Sequence, residues 1–164
     1  MITRTNYGYI IGGSTNSSDG EVHGLHGLPF PHSSPDCWVI GIDTLGNLLW
    51  EHTYGGSNPE QRYSIIQTSG GGFISAGYTL SNDGDVTNYH GGMDAWIIKT
   101  DDTGSMVWQK TIGGIHTDMS VSIQQTIDSG FIVAGHSNSD STDSLPMLVD
   151  GWLNFNERRS LVSR

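Results

Sequence analysis

The sequence predicts an all-β protein built from repeated four-stranded antiparallel units, and three observations support this prediction. A short apolar run bounded by glycine occurs three times, at residues 8–15, 72–79 and 130–137. The chain of 164 residues contains 23 glycines and only 15% charged residues, a composition that suits many tight turns. Other segments recur at a fixed spacing, which indicates stacked copies of one supersecondary unit.

The recurring segments extend through most of each copy, at a spacing of 58 residues. The matched pairs are 36–43 with 94–101, 46–50 with 104–108, 55–56 with 113–114, and 63–68 with 121–126. In the complete second copy, strands are predicted near residues 62–68, 72–79, 94–100 and 105–112. Glycine-containing turns such as residues 69–71 would join these strands into hairpins.

The strands are apolar on both faces. Trp96 and Ile98 point to one side of their strand, while Ala95 and Ile97 point to the other. A sheet with two apolar faces must be covered on both, and stacking of one unit on the next does this. A stacked unit of four strands is typical of a β-propeller blade.

Four sequence patterns carry a resemblance to a known family. They are Gly-aromatic-Ile-x-Ala-Gly from Gly72, Asp-x-Trp-Ile-x-Lys-x-Asp from Asp94, Gly-x-x-x-Trp-x-Lys from Gly104, and Ser-Ile-Gln-Gln-Thr from Ser122. Together they resemble a tandem β-propeller repeat of roughly 60 residues found in large secreted or surface proteins of bacteria and archaea. The resemblance implies an extracellular or cell-surface location for the parent protein. It implies no particular chemistry, because the matched positions are structural.

The repeat divides the chain into three blades and a tail. Blade 1 covers residues 1–60, with an incomplete first strand and a six-residue insertion near 28–35. Blade 2 covers 61–118 and is complete, blade 3 covers 119–156 and is truncated, and a divergent tail at 157–164 is expected to fray without a partner strand. Propellers close with four to eight blades. We therefore expect a partial propeller that needs other blades of a parent chain or self-association, while packing as a sandwich remains an alternative.

Composition and charge exclude several classes of partner. Seven basic against seventeen acidic residues give a net charge of −10, which argues against nucleic acid. Cys37 is the only cysteine, so no intrachain disulfide framework is expected, and its apolar surroundings predict a buried, inert thiol. No run of about 18 apolar residues predicts a membrane span, and no signal peptide is expected within this chain.

A repeated acidic loop is the candidate metal site. Its residues are Asp19, Glu21 and His26 in the first copy and Asp83, Asp85 and His90 in the second. Two carboxylates close together on a turn suit Ca²⁺, whereas imidazole suits Zn²⁺ or Cu²⁺. Asp-Gly is also a common turn dipeptide. Calcium, a transition metal and a purely structural turn therefore all remain open.

Aromatic residues in predicted loops are the candidate ligand contacts. The five tryptophans fall within or beside apolar strands, which favours core packing. Phe30, Tyr54 and Tyr89 are instead predicted in loops, where they could contact a glycan or a protein.

No catalytic residue is predicted. The sequence has no Gly-x-Ser-x-Gly, no His-Glu-x-x-His and no phosphate-binding glycine loop. His116, Asp118 and Ser120 are close in sequence, but a triad is recognised by geometry and a turn role is favoured.

The leading functional hypothesis is a non-catalytic extracellular β-propeller segment that serves as a scaffold or binding module. One alternative is a calcium-assisted carbohydrate-binding propeller. A second alternative is a fragment of a propeller hydrolase or lyase, since paired carboxylates from distant strands leave no local signature. Propellers host all three, so the fold alone does not decide between them.

Overall fold

The computed structural model describes residues 1–27 and 34–139, together with the backbone of two later strands. The strands are β1 (Ile2–Arg4), β2 (Gly8–Thr15), β3 (Asp36–Asp43), β4 (Leu48–Tyr54), β5 (Glu60–Gln67), β6 (Phe73–Thr79), β7 (Asp94–Thr100), β8 (Met106–Ile112), β9 (Asp118–Gln125), β10 (Phe131–Ser137), β11 (Trp152–Asn156) and β12 (Arg159–Val162). The predicted all-β class is confirmed. No helix in the described part of the chain is long and apolar enough to cross a membrane.

The strands form three antiparallel sheets of four strands each. Sheet 1 has the order β1-β2-β3-β4, sheet 2 the order β5-β6-β7-β8, and sheet 3 the order β9-β10-β11-β12. Each strand therefore pairs with the next strand in the chain, as in a meander. The predicted four-stranded antiparallel units are confirmed, and each strand of sheet 2 lies within two residues of its predicted bounds.

A recurring turn connects the third and fourth strands of sheets 1 and 2. In sheet 2, Asp101 Oδ1 accepts the backbone N–H groups of Thr103 and Ser105, each at 2.9 Å, and Gly104 adopts a φ of 88°. In sheet 1, Asp43 Oδ1 accepts the N–H groups of Leu45 and Asn47, each at 2.8 Å. Aspartate side chains stabilise such turns because they bond backbone groups a few residues further on.

The sheets stack face to face around two apolar cores. The first core lies between sheets 1 and 2 and contains Ile10, Cys37, Val39 and Tyr54 together with Ile65, Phe73, Val86, Trp96 and Ile98. The second lies between sheets 2 and 3 and contains Ile74, Ala76, Ala95, Ile97 and Ile112 together with Ile123, Phe131 and Val133. Sheet 2 therefore buries both faces, as the alternation along β7 predicts.

The first strand of a sheet contacts the preceding sheet. Strand β5 packs against β1, β2 and β3, and β9 packs against β5, β6 and β7. Two hydroxyl groups bond across these contacts, Thr3 Oγ1 to the Ile65 carbonyl at 2.7 Å and Ser120 Oγ to the Gly77 carbonyl at 2.6 Å. Stacking thus brings residues of different copies within bonding distance.

Two expectations about individual residues have different outcomes. Cys37 is fully buried, as predicted, and burial raises the pKa of its thiol to about 12.

The prediction that the tail has no partner strand is wrong for residues 159–162. Strand β12 pairs with β11, with Asn154 opposite Val162 and Asn156 opposite Arg159. An edge strand presents unpaired backbone groups, so a following segment can pair with it without special turn residues. The core of the predicted insertion, residues 28–33, lies outside the described residues.

A glycine in β6 allows a close approach of two backbones. A Cβ on Gly77 would lie 1.8 Å from the Gln61 carbonyl oxygen, next to a bulge in β5 between Arg62 and Ser64. We expect Gly77→Ala to lower the free energy of unfolding by about 3 kcal/mol, because neither backbone can move away cheaply. Gly70→Ala is the matched control, since its Cβ would meet nothing within 4 Å, and it should change stability by less than about 1 kcal/mol. Urea unfolding of both variants tests this; equal midpoints would contradict it.

Candidate functional site

The repeated histidines bind the first residue of the third strand in their own sheet. His26 donates its backbone N–H and its ring Nδ1–H to Asp36 Oδ2, at 2.7 and 2.8 Å. His90 makes the same two bonds to Asp94 Oδ2, at 2.7 and 2.9 Å. Both aspartates are fully buried. The repeated loop is therefore tied to its sheet by one carboxylate, which explains why the histidine recurs.

The acidic residues of the second loop reach across to sheet 1. Asp83 Oδ1 accepts the Ser57 N–H at 2.8 Å, and Asp85 Oδ2 accepts the Gly55 N–H at 3.1 Å. The bond from Ser57 lowers the pKa of Asp83. In the first loop, Asp19 accepts a hydrogen bond from the Ser17 hydroxyl, and Glu21 is exposed. These carboxylates mainly serve to order loops and to join the two sheets.

The predicted metal residues do not gather within either loop. Among the described residues there is no group of three or more His, Cys, Asp or Glu side chains that could hold a metal ion. The structure instead brings together one residue from each loop, because His26 Nε2 lies 3.7 Å from Asp85 Oδ2. This pair joins sheet 1 to the loop of sheet 2.

The pair lies in a cleft of ≈ 590 Å³ between sheets 1 and 2. We call it the histidine cleft, and its lining includes His23, His26, Glu51, His52, Tyr54 and Asp85. His52 Nε2 lies 3.1 Å from the Thr103 carbonyl oxygen, so this nitrogen carries a proton and holds the turn of sheet 2. The cleft therefore combines three imidazoles with two carboxylates.

Hydrogen bonds from the sheet position the outer groups of the cleft. Trp38 Nε1 donates to Glu51 Oε2 at 3.0 Å, and Glu51 Oε1 lies 3.0 Å from His23 Nδ1. Thr53 Oγ1 donates to the His23 backbone carbonyl at 2.8 Å. Glu51 is thus held by an indole, and His23 is held at both its backbone and its ring.

The second copy contains the same framework without the same ionisable groups. Trp96 Nε1 donates to Gln109 Oε1 at 2.7 Å, and the Gln109 amide donates to the Thr87 hydroxyl. Thr111 Oγ1 donates to the Thr87 carbonyl at 2.8 Å. The bonding pattern therefore belongs to the repeat and is a property of the fold.

What distinguishes the first copy is its chemistry at three matched positions. The exchanged pairs are His23 with Thr87, Glu51 with Gln109, and His52 with Lys110. Since Thr87 and Gln109 keep the framework without an ionisable group, the presence of His23 and Glu51 in the first copy marks the histidine cleft as a candidate site. His23, Glu51 and His52 were not predicted from the sequence. A comparison of the aligned copies for departures from the repeat would have found them.

The three predicted aromatic contacts fare differently. The prediction that Tyr54 lies in a loop is wrong, because Tyr54 is the last residue of β4. Its side chain is only 4% exposed, and its hydroxyl donates a hydrogen bond to the Gly104 carbonyl. Burial raises the pKa of this hydroxyl. Tyr89 does lie in a loop, where it is half-buried and donates to the Gly92 carbonyl. Phe30 lies outside the described residues.

No protein-family profile matches the chain, and no curated protein is similar enough to count as a relative.

A pair of buried carboxylates lies at each junction between sheets. A Cβ on Gly113 would lie 2.5 Å from Asp94 Oδ1 and 2.8 Å from Asp118 Oδ2. At the other junction, a Cβ on Gly55 would lie 2.4 Å from Glu60 Oε2 and close to Asp36. Only glycine fits between such pairs. Burial is the main cause that raises the pKa values of Asp94 and Glu60, and the second carboxylate of each pair adds to it.

These raised pKa values predict a pH dependence of stability. The stability linked to the neutral Asp94 carboxyl is present below its ordinary pKa of 3.8 and is lost as the pH rises through its raised value. Asp94→Asn stays neutral, so wild type should lose stability relative to this variant between about pH 4 and about pH 6. The measurement is urea unfolding at both pH values.

The matched control is an aspartate whose pKa shifts the other way. Bonds from Asn47 lower the pKa of Asp43, so its stabilisation is lost as the pH falls. The advantage of wild type over Asp43→Asn should therefore shrink as the pH falls from about 5 to about 3. The linkage argument fails if both variants show the same sign.

Proposed function

We propose that this chain is a segment of a β-propeller, with its three sheets as successive blades. It would act as a non-catalytic scaffold or binding module of a larger secreted or cell-surface protein. The repeat, the meander within each sheet and the face-to-face stacking all support this proposal. The observation that carries it concerns the face of sheet 1 that points away from sheet 2.

The open face of sheet 1 repeats a face that sheet 2 buries. Tyr9, Trp38 and Ile40 occupy the positions of Phe73, Trp96 and Ile98 in the second copy. Phe73, Trp96 and Ile98 are at most 1% exposed, in the core against sheet 1. Tyr9 is 37% exposed, and Trp38 and Ile40 are only half-buried. Among the described residues, the first copy therefore carries a stacking face that no further sheet covers.

The partner that fits this face is a further copy of the same unit. Sheet 1 covers sheet 2 with Ile10, Cys37 and Val39, and sheet 2 covers sheet 3 with the matched residues Ile74, Ala95 and Ile97. A preceding blade, from the parent chain or from a second copy of this chain, would present the same small and branched side chains. Such head-to-tail stacking either closes a ring or extends into a filament.

The contacts of the sequence-adjacent His, Asp and Ser residues favour a non-catalytic role. Ser120 is buried and donates to the Gly77 carbonyl, while Asp118 accepts hydrogen bonds from the hydroxyls of Ser137 and Ser139. A serine nucleophile needs a neighbouring base and access to substrate. The histidine cleft, in contrast, opens to solvent, and it is where we place ligand binding.

The stacking proposal predicts self-association of the chain. Light scattering behind a sizing column should give a discrete mass above the 17.7 kDa of the single chain, because the exposed face binds a second copy. Ile40→Asp places a charge on that face and should return the mass to that of the monomer.

Ile127→Asp is the control, since Ile127 is fully exposed in a turn and the variant should keep the mass of wild type. A wild-type chain that stays monomeric at its highest soluble concentration would contradict stacking through this face.

A further inference from the structure

The ring of His26 is oriented so that one nitrogen, Nε2, faces the histidine cleft. Its Nδ1 and its backbone N–H both bond to Asp36 Oδ2, which fixes the ring from two points. A carboxylate only accepts hydrogen bonds, so Nδ1 carries a ring proton, and in the neutral imidazole Nε2 is the unprotonated nitrogen. A buried carboxylate behind a histidine in this way is the arrangement that orients imidazole ligands of metal ions.

The group that faces Nε2 is a second acceptor. Asp85 Oδ2 lies 3.7 Å from His26 Nε2, and this oxygen already accepts the Gly55 N–H. A lone pair and a carboxylate oxygen that face each other repel, and either a proton on Nε2 or a metal ion between the two atoms removes that repulsion. Two ligands of a tetrahedral Zn²⁺, with bonds of about 2.1 Å, lie about 3.4 Å apart. The distance between His26 Nε2 and Asp85 Oδ2 has to shorten only slightly to reach that value.

We propose that His26 and Asp85 bind a divalent transition metal ion, of which Zn²⁺ is the representative, between sheet 1 and the loop of sheet 2. This site differs from the one expected within each acidic loop, because its two ligands come from different copies. It goes beyond the proposed scaffold role, because it assigns a ligand class to the histidine cleft.

Other groups in the cleft can complete the coordination. His23 lies in the same cleft with 73% of its side chain exposed, and its ring would have to leave Glu51 in order to offer a third ligand. Glu51 adds negative charge close by, and water can take the remaining positions of an open site. The charge of −10 on the whole chain also favours cations over anions.

A comparison of His90 with His26 indicates why the proposed metal site lies in the first copy and not in the second. His90 is held by Asp94 in the same way as His26 is held by Asp36. Around it, however, the positions of His23 and Glu51 are taken by Thr87 and Gln109. Neutral oxygen and amide groups are poor ligands for Zn²⁺ compared with imidazole and carboxylate. His90 is therefore a matched histidine with the same internal bonds and with poorer ligands at these two positions.

The test is a calorimetric titration of the full chain with Zn²⁺, with Co²⁺ absorption as an independent report of coordination. Wild type should bind one ion per chain with a saturable isotherm. Asp85→Asn should weaken binding at least about tenfold, because the amide keeps an acceptor for Gly55 but loses the charge. His26→Gln should abolish the Co²⁺ band. His90→Gln and Asp83→Asn are the controls and should bind within about twofold of wild type.

Three results would overturn the proposal. The first is the absence of saturable binding by wild type. The second is an Asp85→Asn variant that binds as tightly as wild type while its unfolding curve is unchanged. The third is an equal loss in His90→Gln and His26→Gln, which would show that the histidines act through the fold rather than as ligands.

Discussion

A four-stranded sheet with two apolar faces has to be covered on both sides, and this constraint organises the protein. Sheet 2 meets it by packing Phe73, Trp96 and Ile98 against sheet 1 and Ile74 and Ile97 against sheet 3. Burial of such side chains is the main favourable term in folding. The same constraint applies to sheet 1, whose open face carries the matched residues. Sheet 2 is therefore covered on both sides because it is the middle member of the stack.

Stacking also creates the polar features of the molecule. Where two sheets meet, the strand ends bring carboxylates such as Asp94 and Asp118 together around Gly113. A buried carboxylate is costly unless it is hydrogen-bonded, and loop groups such as the His90 N–H supply the bonds at Asp94. Asp94 Oδ1 has no partner of its own, which is consistent with the raised pKa of this carboxyl. The loops are ordered because their groups donate hydrogen bonds to the buried carboxylates at the strand ends.

The repeat supplies its own comparison between residues that serve the fold and residues of the candidate site. Wherever both copies keep the same bond, as in the bond from Trp38 to Glu51 and that from Trp96 to Gln109, the bond serves the fold. Where the bond is kept but the ionisable group is not, as at Glu51, the fold does not explain the side chain. The histidine cleft was identified by this difference and not by any motif.

The sequence by itself determined the fold class, the strands and the alternation of buried side chains. These features follow from local periodicity and turn chemistry, as the agreement at β6 and β7 shows, because both depend on residues close together in the chain. The sequence also indicated the repeated loops, but it assigned His26 and Asp85 to separate sites. Only the tertiary structure placed these two side chains together, buried Tyr54 at the end of β4 and paired β12 with β11. Contacts between copies depend on how the sheets stack, and the spacing within a copy carries no information about that.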